Sequence, residues 1–280
     1  MNIAPGLFII NAALTGMVPT RADTPHVPLT PEEIVADAAA CVDAGATILH
    51  VHARCAVGRP TPAPETYAAI VTGIRRERPE AVICVSTSGR NGASLAERLA
   101  VLNLDGAARP DMASLTLGSF NFRNEVSVND PDTILTLARA MRERGIKPEL
   151  EIFDTGMVAT LRHLLTTGEL AGGPYANLLL GGVNTVQASL PELCHLATLL
   201  PPGTIWAAGG IGRHQLPMNL AALLMGGHVR LGIEDCIWLD AARTRPARNI
   251  DFVRRIRESA ALLELRPATC AEARNLLGLL

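Results

Sequence analysis

The stretch PLTPEEIVADAAACVDAGATILHVHAR, residues 28–54, decides how the chain is read. Thr30-Pro31-Glu32-Glu33 is a helix start: Thr at the N-cap, Pro in the first turn, and Glu where it closes a capping box. The helix-like segment runs to about residue 44, and Thr47–His52 is then short, apolar and bounded by polar residues, as a strand buried on both faces should be. A capped helix feeding a buried strand is one turn of an α/β repeat.

The same alternation extends outward in both directions. Strands are expected at Leu7–Ala12, Thr47–His52, Val82–Ser86, Met112–Leu117, Glu149–Phe153, Ala176–Leu180, Thr204–Ala208 and Val229–Ile233. Helices are expected near 31–44, 64–78, 94–103, 131–144, 156–167, 190–199, 213–225 and 247–264. Asp130-Pro131 repeats the cap-then-proline pattern, Gly145 stops a helix after Arg144, and Thr269-Cys270-Ala271-Glu272 opens one more short helix, placed to close a barrel base or reach a neighbouring subunit. Crossover helices return each strand in the same direction, so the sheet is parallel. An open doubly wound sheet and a closed barrel both fit. Eight units in 280 residues favour a (β/α)₈ TIM barrel, which typically takes about 250 residues. With no linker or shift in composition, residues 1–280 read as a single catalytic domain with an extra C-terminal helix.

Composition narrows the function. A net charge of −2 and 3% aromatic residues give no footprint for nucleic acid and no stacking platform. The apolar start MNIAPGLFIINAALTG lacks a basic n-region and reads as a strand rather than a signal peptide. No run approaches the ~18–20 apolar residues of a membrane span. The six cysteines form no CxxC pair, and most sit in apolar stretches, which suits reduced thiols and a cytoplasmic protein.

Chemistry concentrates at strand ends. In ILHVHAR, His50 and His52 alternate and project to one side, at the C-terminal end where barrel active sites form. In VRLGIED, Arg230, Gly232 and Glu234 share a face; an inward Arg and Glu need partners. The eighth strand lies near the first and second in a closed barrel, so Glu234 can join the histidines. Two His and one carboxylate with an open position make a catalytic rather than structural zinc pattern; an internal Arg230–Glu234 ion pair without metal fits the same residues. Asp235 reads either as a general base or as an aspartate at a strand end. Substrate contacts are expected from Ser86 in VSTSGR, from Ser114 and Thr116 alternating on strand four, and from Gly210 and Arg213 in AGGIGR, since loops after strands seven and eight often bind phosphate. Asn121 is a further polar candidate. His163 and His195 fall on helices without such an argument.

Together NAALTG (11–16), residues 28–54, GRP (58–60), RPDMASLTLGSFNF (109–122), ELEIFDTGM (149–157), GGIGRHQLPMNLAALLMGGHVRLGIED (209–235) and AEARNLLGL (271–279) resemble the β-keto acid cleavage enzymes, the group that includes 3-keto-5-aminohexanoate cleavage enzyme. The resemblance implies a Zn²⁺-dependent homotetrameric barrel converting a β-keto acid and acetyl-CoA into acetoacetate and a new acyl-CoA. It implies His50, His52 and Glu234 as metal ligands, Arg230 and Asp235 as the catalytic pair, Ser86 as carboxylate contact, and Ser114 or Thr116 as a further hydroxyl contact. Members acting on the aminated substrate carry an acid after the first-strand Thr-Gly. Here Met17-Val18 follows, so an uncharged or apolar distal group is expected, with Arg21 a possible dicarboxylate contact if it faces the pocket. Cys55 and Cys236 depart from the family's commoner residues beside the ligands. Two other readings use the same residues: a metal-dependent lyase or aldolase working without CoA, and a non-catalytic barrel that binds metal or metabolite.

Overall fold

The computed structural model describes residues 6–170 and 172–279. Residues 1–5 of the apolar N-terminal stretch, Ala171 and Leu280 lie outside the described residues, so the start and end of the 1–280 domain do too. Eight parallel strands form a closed barrel: β1 (Ile10–Ala13), β2 (Ile48–Val51), β3 (Val82–Val85), β4 (Met112–Thr116), β5 (Lys147–Ile152), β6 (Tyr175–Leu180), β7 (Ile205–Gly210) and β8 (His228–Leu231). Each pairs with its neighbours in sequence, and β8 closes on β1 with Arg230 beside Asn11. The open-sheet alternative is thereby excluded.

The helices are α1 (Pro31–Ala44), α2 (Pro64–Glu77), α3 (Leu95–Ala100), α4 (Pro131–Glu143), α5 (Thr155–Thr166), α6 (Leu190–Leu199), α7 (Gln215–Leu224), α8 (Asn249–Ala261) and α9 (Cys270–Leu277). The caps read from sequence are present: Thr30 and Thr269 close capping boxes with Glu33 and Glu272, Asp130 accepts from Thr133 N, and Gly145 takes φ +60 after α4. The helix expected over 94–103 tightens after Ala100 into a 3₁₀ turn, Val101–Asn103. Among the described residues no helix is long and apolar enough to cross a membrane.

The barrel interior is layered. At its base, Ile48, Val82, Cys84, Met112, Tyr175 and Ala207 pack together, and Ala273 and Leu277 of α9 join them. The C-terminal helix therefore caps the barrel base. Above that apolar plug the inward positions turn polar: Asn11, His50, Glu149, Asn177 and Arg230 are all buried. Strand β7 runs two residues beyond the expected end because Gly209 and Gly210 pack within the wall. A Cβ on Gly209 would stand 2.9 Å from Leu179 and 3.5 Å from the Arg230 side chain, and one on Gly210 would overlap His214 O.

His228, at the start of β8, is buried and accepts a hydrogen bond from Ile9 N at Nδ1, 3.1 Å away. That nitrogen must be unprotonated to accept, and burial pushes the imidazole down to about 4. Unfolded, the group titrates near 6.5, so below that pH the unfolded chain binds the extra proton and stability falls until the folded group also titrates. Between pH 7 and 5 the loss assignable to His228 is about 2 kcal/mol. Urea midpoints at both pH values should show the wild type losing that much more than His228→Gln; parallel losses would remove His228 from the acid response.

Candidate active site

His50 and His52 come together as their alternation requires, with Nε2 atoms 3.2 Å apart. Glu234 meets them from the turn after β8, with only β1 between that strand and β2, its carboxylate 3.7 Å from His50 and 3.4 Å from His52. It does not arrive by strand alternation: β8 ends at Leu231, and Gly232 at φ +146 turns the chain so that Asp235 N and Cys236 N both donate to Gly232 O. A Cβ on Gly232 would overlap Ala13 O, and one on Gly16 would stand 2.6 Å from Glu234 Cγ. These two glycines let the turn close against the first-strand loop, which carries Glu234 to the histidines.

A carboxylate that the sequence reading did not single out orients His50. Glu149, fully buried on β5, accepts from His50 Nδ1 at 2.5 Å and from Asn11 Nδ2 at 2.5 Å. Burial alone would push Glu149 up, but His50 and Arg230 hold it at about 2. Glu149 accepts the hydrogen bond from Nδ1–H and so turns Nε2 toward His52 and Glu234. Burial works against charge on His50, but Glu149 and Glu234 raise it to about 9, so a cation at Nε2 would take the place of a proton. Its signal was in the sequence: Glu149 and Glu151 alternate on a strand read as buried on both faces.

Arg230 is the cationic centre of the site. Fully buried, it lies 2.7 Å from Glu234, 3.1 Å from Asp235, 3.5 Å from Glu151 and 3.8 Å from Glu149. Burial works against its charge, but Asp235, Glu234, Glu149 and Glu151 raise it well above its usual range. The adjacent acids separate. Burial raises Glu234, yet His52, Arg230 and His50 outweigh it and hold the group well below the ordinary carboxylate range; burial keeps Asp235 raised against the pull of Arg230. A pair split in this way has one permanent anion and one group suited to carrying a proton.

The ligating atoms of His50, His52 and Glu234 lie within 4.8 Å of one another, and Glu234 Oε2 is buried with no hydrogen-bond partner among the described residues. Two imidazole nitrogens, a carboxylate and an unspent buried oxygen fit a divalent cation with positions left for substrate. The Arg230–Glu234 ion pair is present and does not use up the carboxylate: Arg230 takes Oε1, and Oε2 has no hydrogen-bond partner among the described residues.

A cavity of about 670 Å³ opens above this cluster, lined by His52, Ser86, Thr116, Glu151, Arg230, Glu234 and Asp235 at its buried end. Thr116 donates to Glu151 at 2.6 Å and faces the cavity, whereas Ser114 Oγ accepts from Thr87 N and does not line it. Of the two hydroxyls on strand four, the structure brings Thr116 to the site. Gly210 does not line the cavity; its role is the close packing against His214 described above. Arg213 lines the exposed rim. Asn121 is exposed, in the short hairpin Phe120–Asn121/Val126–Ser127, whose Phe120 and Phe122 line the cavity instead. Met17 and Val18 line it too, and Arg21 does not: its guanidinium pairs with Glu33 and donates to Pro25 O. Of the two unusual cysteines, Cys236 faces the cavity and Cys55 does not.

The chain has relatives among known proteins over almost its whole length. The chain is 39% identical over 277 residues to 3-oxoadipate:acetyl-CoA acetyltransferase of Cupriavidus necator, covering 97% of this chain and 94% of that one. It is 36% identical to 3-keto-5-aminohexanoate cleavage enzyme of Fusobacterium nucleatum, covering 97% and 98%. Among solved structures, the apo structure of ObcA superposes with a TM-score of 0.83 at 21% identity; the match covers 91% of this chain and 66% of the longer ObcA chain, and shows the shared fold. The profile of the beta-keto acid cleavage enzymes matches residues 8–279, and the chain belongs to that family.

Proposed function

We propose that the protein condenses a β-keto acid with acetyl-CoA and resolves the adduct into acetoacetate and a new acyl-CoA. The observation that carries this reading is the convergence of His50, His52 and Glu234 beside the Arg230–Asp235 pair at the floor of one cavity. His50, His52 and Glu234 are the residues that would hold Zn²⁺, and a divalent cation there supplies Lewis-acid stabilisation for an enolate. Asp235 takes the proton from the carbon between the keto and carboxylate groups. Arg230, 3.1 Å away, orients Asp235 and balances the negative charge. Ser86 and Thr116 contact the substrate from strands three and four. The enolate carbon then bonds to the thioester carbonyl of acetyl-CoA; CoA passes to the acyl carbon within the adduct, and cleavage of a carbon–carbon bond releases acetoacetate. That order of steps rests on the family resemblance.

The substrate's distal end faces Met17 and Val18, so an uncharged or apolar group suits it better than an ammonium, which has no acid to meet at that position. Arg21 is occupied outside the cavity and gives no support to an acidic group. The test is a panel of β-keto acids with neutral, acidic and aminated distal ends, each incubated with and without acetyl-CoA. Acetoacetate should appear only with acetyl-CoA, disappear after chelation and return on adding Zn²⁺. Product independent of acetyl-CoA would transfer the reading to a lyase or aldolase, and fastest turnover of the aminated acid would overturn the distal-group assignment.

A further inference from the structure

Glu234 rides on a turn rather than a strand, so whatever fixes that turn fixes the carboxylate. Strand β8 ends at Leu231, and helices α7 and α8 hold the backbone beyond it. Gln215 of α7 donates from Nε2 to Gly232 O at 2.9 Å, and Gly212 N, just ahead of α7, donates to Asp235 O at 2.7 Å. Between them, Ile233 N donates to Asn249 Oδ1 at 2.7 Å. Asn249 opens α8 and has no exposed surface.

The Asn249 amide reaches in three directions. Its Nδ2 donates to Leu14 O at 2.8 Å and to the Asp37 carboxylate of α1 at 2.6 Å. Leu14 N in turn donates to His50 O at 3.1 Å. A continuous path therefore runs from the backbone of His50, through Leu14 and the Asn249 amide, to the residue before Glu234. The amide cannot be turned over, because Leu14 O only accepts and Ile233 N only donates. Burial pushes Asp37 up to about 6 and the bond from Asn249 works against it, so at pH 7.5 this carboxylate also only accepts. Leu14, Ile233 and Asn249 have no exposed surface, so water does not replace a lost bond there.

We propose that Asn249 is a positioning residue for Glu234: its amide joins the two segments that bring the ligands together and sets how closely the carboxylate approaches His50 and His52. It touches neither the cavity nor the ligating atoms, and acts through the backbone on either side. Its effect on a cation rests on the metal reading above; the clamp on the turn does not. Residues that orient metal ligands from behind carry a share of the affinity out of proportion to their distance from the ion.

Two measurements on the whole protein at pH 7.5 separate the clamp from the cation. In chelator-treated protein, hydrogen exchange read by mass spectrometry should show the amides of residues 232–236 exchanging about tenfold faster in Asn249→Ala than in wild type, the scale of one lost hydrogen bond. Zn²⁺ affinity, from competition with a chromophoric chelator, should weaken about tenfold, the lower end for residues that orient ligands. Asn249→Ser, suited to a helix start, should show the same losses and serves if the alanine variant does not fold. Leu161→Ala, a core truncation on α5, is the control for lost global stability and should leave both measurements at the wild-type values. Unchanged exchange in the Asn249 variants overturns the proposal, as does faster exchange with Zn²⁺ affinity unmoved, or an equal loss of affinity in Leu161→Ala. Faster exchange in a protein whose wild type takes up no Zn²⁺ keeps the clamp and removes the metal reading.

Discussion

Replacing Asp235 by Asn is expected to lower kcat by about a thousandfold, within the span that a positioned general base contributes. The amide keeps the shape of the carboxyl and relieves a buried acid, so the fold should persist: the urea midpoint should stay at or above that of the wild type. It removes the group that accepts the proton, and that loss is separable from later steps. In D₂O the wild type should exchange the hydrogens between the keto and carboxylate groups of its substrate beyond the uncatalysed background, without acetyl-CoA present, a reaction read directly by proton NMR. Asp235→Asn should lose both turnover and enzyme-catalysed exchange. If catalysed exchange persists while turnover falls, Asp235 acts after proton removal; if turnover stays within tenfold of the wild type, the base lies elsewhere.

What could be read from the sequence, and what could not, divides along physical lines. Local rules held where the cause is local. Thr30 and Glu33 close their box, Gly145 stops α4, and the i, i+2 spacing of His50 and His52 puts both imidazoles on one side. Closure of the sheet was not local: it depends on β8 pairing with β1 across more than two hundred residues, with Arg230 beside Asn11. Glu234 reached its place by a route that strand periodicity could not supply, because the turn at Gly232 depends on how closely Ala13 approaches. Gly210 looked like a phosphate loop and is a packing glycine, a distinction that only the position of His214 O reveals. Glu149 is the instructive omission. An inward charge in a barrel needs a partner, which holds for Glu149 and Glu151 on the facing strand as much as for Arg230, and these groups are one another's partners.

That mutual dependence makes Arg230 the position of largest structural consequence. Arg230→Met is expected to destabilise the protein by about 3–5 kcal/mol, the usual cost of leaving buried charge uncompensated. Four carboxylates within 4 Å of the guanidinium lose their shared cation at once: Glu234, Asp235, Glu151 and Glu149. Since a domain is typically stable by only ~5–15 kcal/mol, the variant has little margin, and denaturant melts at low temperature are the suitable measurement. Arg230→Lys keeps the test open if Arg230→Met fails to fold. A lysine ammonium retains the charge but cannot present the guanidinium's fork, through which Nη2 meets Glu234 and Nε meets Asp235. It should therefore recover most of the lost stability while leaving turnover severely reduced, since Asp235 is no longer held in position. A methionine variant within about 1 kcal/mol of the wild type would mean that the carboxylates are not kept ionised by Arg230, and the charge arrangement drawn for the site would have to be redrawn around His50 and His52 alone.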